Sequence, residues 1–142
     1  MNPIIRNVFA VIGGVALGML MNMFIITISG SVIPPPEGID PKDMDSMMKN
    51  AHLLKPKHFI FPFLAHALGT LAGAFIAAKF SGSKPLISAM IAGAFFLLGG
   101  IIASMIIPAP SWFIALDLTM AYLPMAFIGA KMAGNKNEIL KV

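Results

Sequence analysis

Four long runs without a charged side chain divide this sequence. They cover Val8 to Ile28, Phe59 to Ala78, Pro85 to Leu116, and Trp112 to Ala130, the last broken only by Asp117. A helix that crosses a bilayer needs about 20 apolar residues. The runs therefore predict four membrane-crossing helices, over residues 4–29, 58–80, 85–107 and 112–132. The predicted fold is all-α: one membrane domain over residues 1–142, an integral membrane four-helix bundle.

Residues 30–57 form the sizeable polar stretch between the first two runs. Pro34-Pro35-Pro36 predicts extended chain, because proline fixes its own backbone and restricts its predecessor. Asp40 suits an N-cap, Pro41 a first helical position and Asp43 the positive end of a helix dipole. Met44, Met47, Met48 and Ala51 follow at helical spacing, with Lys49 and Asn50 opposite. This predicts a short amphipathic external helix, lying in the headgroup layer, plugging the bundle mouth or covering helix ends.

Small residues mark where helices approach. Gly14 and Gly18 lie four apart in the first helix, and Ala65, Gly69, Gly73 and Ala77 make a continuous stripe on the second. In lipid such faces let backbones pack closely. Gly99-Gly100 predicts a soft point in the third helix. Pro108-Ala109-Pro110 predicts a tight turn, and Pro124 a kink that frees the carbonyl of Met120.

Asp117 is the carboxylate inside these runs, and a central Asp costs about 2.5–3.5 kcal/mol in a spanning helix. It needs a partner, a cavity or a proton. His66 precedes Lys79 by thirteen residues, Asp117 precedes Lys131 by fourteen, and Asn22 follows Arg6 by sixteen. At 1.5 Å per residue all three stand about 20–24 Å from one set of charged anchors. They are predicted to converge as an intramembrane polar site, with Thr70 and Tyr122 close by. Two roles stay open: a clamp that holds helices in register, and a relay for protons or cations.

Composition agrees with lipid. Apolar residues make up 58% and charged residues 11% of the chain, against about 25% charged in soluble domains. Mean hydropathy is +0.86. The chain has no cysteine, which removes disulfides and thiolate chemistry. The net charge of +4 flanks the runs rather than forming a patch for nucleic acid. The first run exceeds the core of a signal peptide, about 7–15 residues, and is predicted to stay. Arg6, Lys79, Lys84, Lys131, Lys136 and Lys141 predict both termini on the cytoplasmic side. His52 and His58 match no metal motif, Ser88 and Ser104 lack a nearby base in sequence, and no cofactor, metal or catalytic residue is expected.

The residues Pro34-Pro-Pro-Glu-Gly38-Ile-Asp40-Pro41, the run Ala65-His-Ala-Leu-Gly69, and Ile107-Pro-Ala-Pro-Ser-Trp112 resemble a family of small bacterial four-helix membrane proteins. The resemblance implies a bacterial inner-membrane location and no activity. Four short helices are also similar to the small multidrug transporters. Those carry an essential glutamate in their first helix, where this chain has no acid, so no site residue is carried over.

The expected function is therefore that of a non-enzymatic accessory or assembly subunit. It would live in the lipid bilayer and bind itself or other membrane proteins through the glycine faces of the first two helices. The alternative is a small oligomeric transporter or channel that uses Asp117 and His66.

Overall fold

The computed structural model describes residues 1–134; Lys136 and Lys141 lie outside the described residues. The order is α1 (Pro3–Val32), α2 (Met44–Asn50), α3 (Ile60–Phe80), α4 (Pro85–Ile106), α5 (Ser111–Met120) and α6 (Leu123–Ala133). Short 3-10 turns at Ala51–Leu53 and Pro56–Phe59 lead from α2 into α3. Four helical stretches are long and apolar enough to cross a membrane: Pro3–Val32, Pro56–Phe80, Pro85–Ile106 and Ser111–Ala133. The last is α5 and α6 in series.

The bundle is inside out relative to a protein built for water. Its buried positions are mostly alanine and glycine, such as Ala74, Ala78, Ala89, Ala126 and Ala130, while Phe9, Leu20, Met23, Leu98 and Met105 stand exposed. Contiguous apolar surface on this scale is a liability in water. In lipid it costs nothing, and small residues inside allow the close packing that holds helices together.

α3 is the hub, packing against α1, α4 and α6. Gly14 and Gly18 of α1 meet Gly73 and Gly69 of α3 backbone to backbone. A Cβ on Gly73 would stand 2.8 Å from the Gly14 carbonyl oxygen, and one on Gly69 would stand 2.9 Å from that of Gly18. Ala77 fills the space beside Gly14, and Ala65 is fully buried. The Phe96 ring of α4 closes over Gly18 and Gly73. These faces are thus spent within the chain. A helix face already in backbone contact offers little free surface to a second protein.

Asn7 ties one end of the bundle. Its Oδ1 accepts from the Ser81 hydroxyl at 2.8 Å, from Gly82 N–H at 2.8 Å and from Ser83 N–H at 3.0 Å. The Arg6 Nε donates to the Phe80 carbonyl at 3.0 Å. Arg6 and the α3–α4 connection therefore share one end. Phe59, Trp112 and Phe113 pack as an aromatic group at the start of α3 and α5, the other end.

The short helix between the first two spans differs from expectation in its start. Asp43, not Asp40, is the N-cap of α2, accepting from Asp45 N–H at 3.0 Å. Asp40 accepts instead from Lys42 N–H at 2.9 Å, closing the turn that contains Pro41. The Asp-Pro pair is used as a turn, which proline also suits.

Candidate functional site

The fourth span is not one continuous helix. Pro124 has no N–H for the Met120 carbonyl, and the break falls just ahead of it, at Ala121 and Tyr122. Tyr122 adopts φ −117° and ψ −84°, outside the helical range. The break has a geometric consequence. In an unbroken helix Tyr122 would lie about 140° around the axis from Asp117. Instead, its hydroxyl donates to Asp117 Oδ2 at 2.8 Å.

His66 arrives from α3. Its Nδ1 stands 2.9 Å from both carboxylate oxygens of Asp117. An ionised carboxylate only accepts. Nδ1–H and the Tyr122 hydroxyl then both donate to it, and Nε2 of His66 takes no part in that pairing. The His66 and Tyr122 rings stack at 5.7 Å with an interplanar angle of 28°. Asp117 is 5% exposed, whereas the His66 side chain keeps 24% of its surface. Desolvating a carboxylate is costly, and two direct donors offset that cost.

The other two expected members behave differently. Thr70 lies one turn along α3 from His66 and is fully buried, but among the described residues its hydroxyl has no hydrogen-bond partner. Asn22 sits against the backbone of Gly69, three residues along from His66. Among the described residues it makes no side-chain hydrogen bond, so it does not join the network. Counting rise from separate anchors ignores helix tilt, and an offset of three residues, about 4.5 Å, is enough to miss.

Gly100 of α4 belongs to the site although nothing in its immediate sequence announces a ligand. A Cβ there would stand 2.5 Å from Cζ of the Tyr122 ring, so glycine is what seats the tyrosine. The signal in the sequence was the Gly99-Gly100 pair, read as a soft point rather than a socket. Ala74, Ala78, Ala89, Ala126 and Ala130 pack as one cluster between the site and the charged end.

His58 does not join a metal cluster: its Nδ1 accepts from Lys55 N–H at 2.8 Å and fixes the turn into α3. Among the described residues, no group of three or more His, Cys, Asp or Glu side chains gathers. No family model, curated protein or solved structure matches the chain. The resemblance carried by Pro34 to Asp43 and its companion motifs rests on those residues alone.

Proposed function

We propose that this chain is a non-enzymatic, multi-pass protein of a bacterial inner membrane that serves as an accessory subunit to other membrane proteins. The observation that carries this reading is that the buried Asp117 is paired within the bundle. His66 and Tyr122 both hydrogen-bond Asp117, and an alanine cluster packs between them and the charged end. Among the described residues, the packing between that network and the charged end is of small apolar side chains. The Asp117 network acts as a clamp between α3, α5 and α6. Arg6, Lys79, Lys84 and Lys131 at one end support cytoplasmic termini by the positive-inside tendency.

With the glycine faces occupied, the partner surface is the side of α1 turned away from α3. Phe9, Ile12, Leu20, Met23 and Phe24 stand exposed there. The absence of native cysteine makes single-cysteine crosslinking clean. Leu20→Cys and Phe24→Cys in native membranes are expected to give discrete, saturable protein adducts, while Ile91→Cys on α4 gives none. Labelling by lipid alone at all three positions contradicts the reading.

A second reading, a proton or cation carrier working as an oligomer, draws on the quarter-exposed His66 ring. Proteoliposome flux separates the two. The accessory reading expects flux equal to that of protein-free vesicles; flux that collapses in Asp117→Asn establishes the carrier.

A further inference from the structure

The external helix α2 carries side chains that the bundle does not use. It packs on the 3-10 turn that follows it and makes no substantial contact with the spanning helices. Its polar side faces its own loop: the Ser46 hydroxyl donates to the Gly38 carbonyl at 3.3 Å, and Asn50 Nδ2 donates to the same oxygen at 3.1 Å. Met44 and Met48 lie on the opposite side, one turn apart. They are 43% and 59% exposed. Met47 flanks them half-buried, and exposed His52 follows Met48 by four residues in the adjoining turn.

The apolar face of α2 is thus made of thioethers, with an imidazole at its end. A helix that anchors in the headgroup layer uses leucine, phenylalanine or tryptophan, with basic residues beside them. Here residues 37–57 hold four acids against four lysines, without the basic excess that draws a helix to anionic headgroups. Thioether donors select soft ions over Mg²⁺ or Ca²⁺, and imidazole accepts copper as well as zinc. In a chain without cysteine, methionine is the soft donor at hand.

We propose that Met44, Met48 and His52 form an external site for a soft monovalent cation, Cu(I) or Ag(I), with Asp45 supplying nearby negative charge. The helical pitch of about 5.4 Å places Met44 and Met48 one turn apart on one face, a spacing that flexible methionine side chains span. Low coordination suits such an ion, so two sulfurs and one nitrogen complete the set. The inference stands independently of the accessory role, because α2 is separate from the Asp117 network.

Ag(I) is the probe, since it needs no reductant. The full chain in chloride-free detergent solution is titrated with silver nitrate, by calorimetry and by the methionine ε-methyl resonances. One Ag(I) per chain is expected, with shifts confined to the methionines of α2. Affinity should fall at least tenfold in Met44→Leu/Met48→Leu and in His52→Ala, and stay unchanged in Met105→Leu. Circular dichroism establishes that each variant remains helical. Absence of Ag(I) binding, equal affinity in the double variant, or equal binding of Zn²⁺ overturns the proposal.

Discussion

Gly99 and Gly100 are neighbours with opposite obligations. Gly99 faces open space, while Gly100 holds the Tyr122 ring against its backbone. Gly99→Ala should be neutral or stabilising by up to about 1 kcal/mol, the helix-propensity difference. Gly100→Ala should destabilise by about 1–3 kcal/mol, the range for overpacking, and displace the tyrosine from Asp117. Thermal unfolding of both variants in the same detergent checks the contrast. Equal effects would mean that Tyr122 does not occupy that seat. Tyr122 itself shows why the pairing needed the fold. Asp117 and His66 are legible as partners from their distances to Lys131 and Lys79. The tyrosine's reach across five residues depends on a break whose exact place Pro124 alone does not dictate.

At the scale of elements, Asn7 beside Arg6 holds α1 to the α3–α4 connection. Asn7 supplies a single carbonyl oxygen to three donors at Ser81, Gly82 and Ser83. Its loss leaves two backbone amides without that partner, each hydrogen bond worth about 0.5–1.5 kcal/mol net. Asn7→Ala should therefore raise hydrogen exchange at Gly82 and Ser83 by about tenfold, with little change in mid-α3 amides. Unchanged exchange would show that the loop is held by its own turn. The existence of the helices was written in their charge-free runs, because twenty-odd apolar residues permit little else in lipid. Asn7 was not legible, because a polar residue at a helix end is ordinarily solvated.

At the scale of the whole molecule, the chain buries glycine and alanine and exposes its large side chains. That inversion was visible in the stripe from Ala65 to Ala77, but its partner was not. A small-residue face fits another helix of the same chain as well as one from another protein. Only the contact of Gly14 and Gly18 with Gly73 and Gly69 decides between them. The same ambiguity covered the acid, since a buried carboxylate calls for a donor without naming it.

The account turns on that acid being neutralised inside the bundle. The direct measurement is a solid-state NMR dipolar distance between ¹⁵Nδ1 of His66 and ¹³Cγ of Asp117, in lipid bilayers. Hydrogen bonds from Nδ1 to both carboxylate oxygens, at 2.9 Å each, require a separation under about 4 Å. A distance beyond about 6 Å would leave the carboxylate without its imidazole donor and contradict the account.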